Sequence, residues 1–363
     1  MAIYHLTVKI IQRSKGQNAV ASAAYRHATR MFADNEGKAF NYRNKQDVIH
    51  SEILIPNDSP DWLQKLVSTE RLSVHDASSS LWNSIESVEK RKDAQLAREI
   101  EFSLPIELDK EQNLILTREF IQDQFVLLGM VADFSIHWDE GNPHVHVMLT
   151  MRGVEHNGFG KRALEWNNKA FLQEWREKWA EYANFHLRLH KHTVCIDHRS
   201  YEQQGIELIP GIHQGKAVLD MDKRGLSTNI MQEANLIRRE NLSLISANPQ
   251  VLFDKITSQH ESFTYPQLAQ ELGRYINDKG SFSIVEKGIF SESALTHWPD
   301  EQASMVLTPE IIARIFSGIE QHESVFTEKD IAKALDKHTE NAELFAKAIL
   351  QIKGSKELIH LGP

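Results

Sequence analysis

The sequence predicts an α+β fold: an antiparallel β-sheet with helices packed on one side, followed by a small, mostly helical C-terminal region. Over the first two hundred residues, segments with one apolar and one polar face alternate with segments of helical periodicity. A Gly-Asn-Pro turn at 141–143 joins two of these strands as a hairpin. The last third instead repeats a short helix–turn–helix pattern at about 250–300 and 308–363.

The individual elements follow from local patterns. Residues 3–11 alternate as a strand, and the alanine-rich segment 17–32 is typical of a helix of about four turns. The same criteria predict strands near Val48–Ile55, over 98–108, up to His137 and from Val145, and helices from Asp76 to Val88, over 110–128 and from Lys169 to about Arg188. These elements place a sheet domain at 1–220, a linker at 221–248 and the repeats at 249–363. Each repeat is compatible with a winged-helix-like module and equally with a helical hairpin that does not touch DNA.

Composition narrows the class of protein. The 363 residues are 41 % hydrophobic and 25 % charged, which is typical of a soluble protein of about two domains, and no apolar run is long enough to cross a bilayer. The single cysteine, Cys195, excludes a disulfide framework and a zinc site built on paired thiolates, so we expect a cytoplasmic protein. The net charge is −9, yet the first fifty residues carry eight basic and three acidic side chains, which is compatible with phosphate binding there.

Three histidines surround the predicted hairpin turn in the stretch SIHWDEGNPHVHVMLT. His144 and His146 are two residues apart, so on a strand they share a face, and the hairpin folds His137 back toward them. Converging imidazoles are typical of a metal site, but the spacing is equally compatible with three surface histidines on a polar sheet face. The polar faces of other strands carry His5, Glu99 and Glu101.

Four stretches together resemble the MobA/MobL class of conjugative relaxases, in particular its TraA-like, MOBQ-type branch. They are MAIYHLTVKIIQRSKGQNAVASAAYRH, REIEFSLPIEL, HWDEGNPHVHVMLT and IDHRSYEQQGIELIPGIHQG, in this order over residues 1 to about 220. The resemblance implies the HUH endonuclease fold, in which the central strands of an antiparallel sheet hold a histidine cluster opposite a tyrosine-bearing helix. It also implies an enzyme that nicks one strand of single-stranded origin-of-transfer DNA through a 5′-phosphotyrosine intermediate and later rejoins the ends.

The resemblance assigns roles to individual residues. Tyr25 falls on the position of the nucleophile, and His137, His144 and His146 fall on the metal ligands. Mg²⁺ or Mn²⁺ is the implied metal, although three imidazoles would also suit Zn²⁺, Co²⁺ or Ni²⁺. The implied partners are relaxosome accessory proteins and the coupling protein of a type IV secretion system. The protein itself is not expected to insert into a membrane, and it is expected to travel with the DNA.

Several further residues are candidates on chemical grounds. Glu99 or Glu101 could orient a liganding histidine, as could Asp139 or Glu140 in the turn, and surface salt bridging is the alternative for each. Basic side chains predicted to contact DNA phosphates are Arg13, Lys15, Arg26, Arg152, Lys161, Arg162 and Arg199.

Rival functions remain open at the level of sequence. They are a rolling-circle replication initiator of the same superfamily, an origin-binding repressor without catalysis, and a metal-dependent phosphohydrolase. Such initiators often present two tyrosines near one another on the helix, whereas here only Tyr25 lies in that segment. Relatives of the TraA type commonly continue into a helicase, and no G-x-x-x-x-G-K-[ST] motif occurs in these residues. We therefore expect the chain to be the N-terminal part of a longer relaxase–helicase.

Overall fold

The computed structural model describes residues 3–68, 72–139, 141–212, 214–260 and 265–276. The described backbone divides into two compact units, the first ending at His190 and the second beginning at Lys191. The first contains the strands β1 (Leu6–Gln12), β2 (Arg30–Ala33), β3 (Lys38–Asn41), β4 (Val48–Leu54), β5 (Gln95–Ser103), β6 (Ala132–Asp139), β7 (Asn142–Leu149), β8 (Arg152–Glu155) and β9 (Gly158–Arg162). Its helices are α1 (Ala19–Arg26), α2 (Asp61–Val67), α3 (Val74–Val88), α4 (Lys110–Ile121) and α5 (Lys169–Leu189).

A five-stranded sheet with the order β1-β5-β7-β6-β4 forms the centre of the first unit, and every neighbouring pair is antiparallel. The predicted α+β class and antiparallel sheet are therefore confirmed. The pairs β2–β3 and β8–β9 form two small additional hairpins that the sequence patterns did not predict.

Helices cover both faces of this sheet, so the prediction of helices on one side was wrong. On one face, Phe102 of β5 packs against Phe120 of α4 and Trp179 of α5, with ring centroids 5.3 and 4.2 Å apart. On the other face, Ala97 and Met148 belong to a buried cluster with small residues of α1 and with α3. That second face also carries the polar side chains, and periodicity could not reveal a helix packed beside them.

The alanine-rich helix is shorter than predicted. Helix α1 begins after Asn18, whose side chain accepts a hydrogen bond from the Ala21 amide, and it ends at Arg26. Ala28 then takes a left-handed conformation with φ of 49°, and the chain enters β2. The helix thus stops about one residue after Tyr25, and the predicted residues 27–32 form a turn and a strand.

A buried polar network anchors the end of α1. The Asp133 carboxylate on β6 contacts His27 Nε2 at 2.7 Å and accepts hydrogen bonds from Ser78 and from Trp82 Nε1 at 2.7 Å. Burial of Asp133 opposes its ionisation, but the His27 charge and these hydrogen bonds outweigh it and lower the pKa of the carboxyl. The network joins α1 and α3 to the strand that also carries His137.

The second unit begins well before the predicted boundary near residue 220. Its helices are α6 (Tyr201–Gln204), α7 (Gly215–Lys223), α8 (Asn229–Ala247), α9 (Gln250–Thr257) and α10 (Tyr265–Leu272). Most of the predicted linker at 221–248 is helix α8, which buries Met231 and Ile245. Only the start of the first predicted repeat is described, as α9 and α10, and the second repeat lies outside the described residues. Across the part of the chain that the structure describes, no helix is long and apolar enough to cross a membrane.

Candidate active site

Strand register brings the three histidines together on one face of the sheet. His137 on β6 lies directly opposite His144 on β7, and His146 follows two residues later on the same face. The ring centroids are 5.1 Å apart for His137–His144 and His144–His146, and 4.8 Å apart for His137–His146. One ring nitrogen from each lies within 4.8 Å of the others, so a single cation could contact all three.

Each imidazole has a partner that orients it. His146 Nδ1 lies 3.1 Å from Glu99 Oε1, and His144 Nδ1 lies 2.8 Å from the carbonyl oxygen of Asn142. These contacts leave the Nε2 atoms of both rings available for a ligand. Donation of the opposite ring N–H to an oxygen is the usual arrangement of a metal-binding histidine.

Neutral His137 carries its proton either on Nδ1 or on Nε2, and the two forms differ in which ring nitrogen can bind a metal. Its side chain is fully buried, with Nδ1 3.1 Å from Asp47 Oδ2 and 3.4 Å from Lys45 Nζ, and Nε2 2.8 Å from the Arg26 carbonyl oxygen. If Nδ1–H donates to Asp47, the Nε2 lone pair is available for a metal. If Nε2–H donates to Arg26, Nδ1 instead accepts from Lys45. Metal binding therefore requires the first form.

Electrostatics favour the neutral forms of two of these histidines, His137 and His146. Burial, together with the nearby charges of His146, Lys45 and His144, lowers the pKa of His137 to about 4, and the opposing effect of Asp47 is smaller. Burial also lowers the pKa of His146 against the effect of Glu99. The neutral imidazoles of His137 and His146 expose lone pairs. Together with His144, they fit a divalent cation in the type of their donor atoms as well as in their spacing.

Glu99 and Glu101 lie beside the histidines on β5. Glu101 is directly opposite His146 in the strand pairing, and its carboxylate is 4.0 Å from His146 Nδ1. Both carboxylates also pair with cations: Glu101 with Lys9 at 3.1 Å and Glu99 with Arg26 at 2.8 Å. Because these cations already balance their charge, the two glutamates are poorly suited to hold a second metal ion. Glu99 is close enough to orient His146, whereas Glu101 lies beyond hydrogen-bond distance.

Tyr25 lies on the last turn of α1, at the edge of this cluster. Its side chain is 44 % exposed, and its ring meets Tyr42 edge to face with centroids 5.3 Å apart. It lines an open cavity of about 440 Å³ whose wall includes Phe40, Tyr42 and Lys38. A partly exposed phenol beside a cavity of this size is accessible to a nucleic acid strand.

Arg26 connects Tyr25 to the histidines through two different groups. Its carbonyl oxygen contacts His137 Nε2 at 2.8 Å, and its guanidinium donates to Glu99, which in turn contacts His146. The guanidinium is largely buried, with 12 % of the side chain exposed. Arg26 was predicted as a phosphate contact, but its structural neighbours are the carboxylate and the cluster.

Two residues near the cluster escaped the sequence analysis. Asp47 contacts His137 and is placed to orient it, which is the role considered above for Asp139 and Glu140. Asp139 instead pairs with Asn142 in the hairpin, and Glu140 lies outside the described residues. Lys45 lies beside Asp47, with 3.6 Å between the charged groups. Both belong to a loop ninety residues from His137, and no local pattern marks such a contact.

The remaining residues predicted to contact DNA are either arginines paired with carboxylates or exposed lysines. Arg13 is paired with the buried carboxylate of Glu86, and Arg152 and Arg162 lie against the Glu89 carboxylate. In the second unit Arg199 is paired with Asp197. Lys15 and Lys161 are exposed. Phosphate binding by the four arginines would have to compete with these ion pairs.

Comparison with known proteins relates the chain to proteins of DNA transfer. The sequence model of the MobA/MobL family matches residues 17–224. A probable conjugal transfer protein TraA of Sinorhizobium fredii is 39 % identical over 311 residues, and a mobilization protein A of Escherichia coli is 32 % identical over 273 residues. The alignments cover 78 % and 69 % of this chain but only 28 % and 34 % of those relatives, so the chain spans about a third or less of their length.

A solved structure is also similar in sequence. Its description reads "Molecular Basis of Vancomycin Resistance Transfer in Staphylococcus aureus". It matches this chain with 35 % identity and a TM-score of 0.49. The match covers 55 % of this chain and all of that one. On the strength of the family match, which takes in more than half of its residues, the chain belongs to the MobA/MobL family.

Proposed function

We propose that this chain is a DNA relaxase of plasmid mobilisation or conjugation, which nicks and rejoins one strand of single-stranded origin-of-transfer DNA with Tyr25 as nucleophile. The observation that carries the proposal is the link from the Arg26 guanidinium through Glu99 to His146, which joins the helix of an exposed tyrosine to the histidine cluster on the sheet. Membership of the MobA/MobL family and the names of the relatives support the same substrate class.

The proposed reaction is a transesterification. Tyr25 loses its phenolic proton, and its oxygen forms a bond to the scissile phosphorus while the bond from phosphorus to the 3′ oxygen breaks. The 3′ oxygen leaves with the electron pair and takes up a proton. Attack by a 3′ hydroxyl on the phosphotyrosine reverses these steps, so rejoining requires no ATP because the energy of the phosphodiester is retained.

The residues of the cluster would hold a divalent cation, for which we propose Mg²⁺ or Mn²⁺. Such a cation, when bound, withdraws charge from the oxygens of the scissile phosphate. The histidines supply three neutral nitrogen ligands, Asp47 and Glu99 fix the ring orientations of His137 and His146, and Arg26 holds α1 against them. The exposed phenol of Tyr25 leaves room for the DNA strand.

One contact favours a second candidate, a rolling-circle replication initiator. Such initiators often present two tyrosines, and Tyr42 lies against Tyr25 although it is distant in sequence. The two functions differ in whether Tyr42 forms a covalent bond to DNA. Relaxosome accessory proteins and a secretion coupling protein are proposed partners of the relaxase.

The test is a search for a covalent protein–DNA adduct. The protein is incubated with Mg²⁺ or Mn²⁺ and overlapping single-stranded oligonucleotides that tile the candidate plasmid origin, then separated on a denaturing gel. We expect a covalent band with wild type and with Tyr42→Phe, and none with Tyr25→Phe. Dependence on Tyr42 would favour the initiator, cleavage without a covalent band would indicate hydrolysis, and tight binding without cleavage of the cognate origin would indicate a repressor.

A further inference from the structure

Lys45 occupies the space between Tyr25 and the histidine cluster. It follows the turn at Tyr42, whose carbonyl accepts from the Lys45 amide at 3.1 Å, and its side chain is 25 % exposed. Its ammonium lies 4.1 Å from the centroid of the Tyr25 ring, 3.4 Å from His137 Nδ1 and 3.6 Å from Asp47 Oδ2. The reaction proposed above gives the Lys45 ammonium no role.

The charged side chains that line the Tyr25 cavity have partners other than the Tyr25 ring. Arg26 is bonded to Glu99 and to the carbonyl oxygen of Ser22. Glu36 accepts from Asn18 at 2.9 Å and pairs with Lys38 at 3.5 Å, and the Lys38 ammonium lies over Phe40, 4.6 Å from the ring centroid. In the described part of the chain, the cation over the Tyr25 ring is therefore Lys45.

We propose that Lys45 is a positioning residue for Tyr25, whose ammonium holds the aromatic ring in place and stabilises the negative charge that the phenol develops as it attacks. This inference rests on the proposed function. A phenolate spreads its charge from oxygen into the ring, so a cation on the ring face stabilises the ionised form more than the neutral phenol. The ion pair with Asp47 keeps the ammonium at this position.

The step balances without any further reactant. The phenolic proton of Tyr25 passes to solvent, which reaches the exposed side chain. The oxygen lone pair then forms the bond to phosphorus, and the 3′ oxygen departs with the electrons of the broken bond and is protonated by solvent. Lys45 keeps its own protons throughout and forms no covalent bond.

A cation in this place could instead bind only a DNA phosphate, and the two roles predict different results. If Lys45 only binds a phosphate, its loss weakens DNA binding, and saturating DNA overcomes the defect. A role at the phenol slows adduct formation even when all the protein is bound. It also makes the defect depend on the acidity of the phenol, because a more acidic phenol needs less stabilisation.

The experiment compares Lys45→Met, which keeps the length of the side chain but not its charge, with Lys45→Arg and with the control Lys38→Met. The rate of adduct formation is measured in a single turnover at saturating DNA, and DNA affinity is measured in a Tyr25→Phe background where no bond forms. We expect Lys45→Met to be slower by roughly tenfold, with DNA affinity within about twofold of its parent. Lys45→Arg is expected to recover most of the rate, and Lys38→Met to retain it.

A fluorinated tyrosine at position 25 then separates a role at the phenol from a general effect on the fold. Fluorine makes a phenol more acidic, so the difference in rate between wild type and Lys45→Met should shrink. A wild-type rate in Lys45→Met at saturating DNA, or a defect that the fluorinated tyrosine leaves unchanged, would overturn the proposal. If unmodified wild type forms no adduct with the cognate origin, the proposed function itself fails, which is a distinguishable result.

Discussion

Replacing Glu99 by glutamine tests the electrostatic link between α1 and the histidine cluster. The Glu99 side chain is 8 % exposed and contacts both Arg26 and His146. Burial opposes ionisation of the carboxyl, but the hydrogen bond with His146 and the charge and hydrogen bond of Arg26 lower its pKa to about 2, against an ordinary value of 4.5. The variant keeps the shape of the side chain and removes its charge.

The pKa shift sets the expected loss of stability. At about 1.4 kcal/mol per pKa unit, the ionised carboxylate stabilises the folded state by about 3 kcal/mol at pH 7. The same order of magnitude, about 3–5 kcal/mol, is found when one partner of a buried ion pair is removed. We therefore expect Glu99→Gln to lower the free energy of unfolding by about 3 kcal/mol at neutral pH.

The sign of the pH dependence follows from the lowered pKa. The contribution of Glu99 is fully present above the pKa of the carboxyl in the unfolded chain, and it is lost as the pH falls toward the lower pKa of the folded state. The difference in stability between wild type and variant should therefore narrow from about 3 kcal/mol at pH 7 to about 1 kcal/mol at pH 3. Other carboxyls titrate in both proteins and largely cancel in this difference.

The measurement is urea unfolding followed by tryptophan fluorescence at several pH values between 3 and 7. Glu177→Gln, at an exposed position of α5, is the matched control and should stay within about 0.5 kcal/mol of wild type at every pH. A stability difference for Glu99→Gln that stays constant from pH 7 to pH 3 would refute the reasoning, because the lowered pKa requires it to shrink.

Four further predictions concern the buried network, the metal, the DNA surface and a buried ion pair. Asp133→Ala should lower the free energy of unfolding by about 3 kcal/mol or more, measured by urea unfolding, because it leaves His27 and the Trp82 indole without their buried acceptor. Asp47→Asn should weaken Mn²⁺ binding by about 10- to 100-fold in calorimetry, because Asp47 orients His137; an unchanged affinity would remove Asp47 from that role. Lys15→Ala should reduce the slope of log affinity for DNA against log salt by about one with little change in stability. Arg13→Ala should chiefly reduce stability, because its guanidinium pairs with buried Glu86.

Local sequence patterns were sufficient for the strands that carry the histidines. Alternation over β7 places His144 and His146 on one face, and the short turn fixes the register that sets His137 opposite His144. The same patterns located β5 and placed its two glutamates on one face of that strand, but only the pairing of β5 with β7 shows that this face is the one with the histidines. These features depend only on neighbours a few residues away, and this is why they can be read from a single sequence.

Contacts between distant segments could not be predicted in this way. Arg26 and Glu99 are 73 residues apart, and Asp47 and His137 are 90 residues apart. In sequence, Arg26 is one more basic residue among several, and its pairing with a carboxylate instead of DNA depends on where α1 packs. The ion pair of Arg13 was equally hidden from the sequence, because its partner Glu86 lies on α3, 73 residues away.

The small residues of α1 explain why the tyrosine helix and the histidine strand meet. Ala19, Val20, Ala23 and Ala24 are fully buried, and they belong to one cluster with Met148 of β7 and Ala97 of β5. Side chains as short as alanine allow a helix backbone to approach a sheet closely, so the carbonyl oxygen of Arg26 can reach His137 directly. Larger residues on this face would move the helix outward and break that contact without changing any residue of the cluster. The alanine run therefore positions Tyr25 as much as Arg26 does, although in sequence it indicates only a helix.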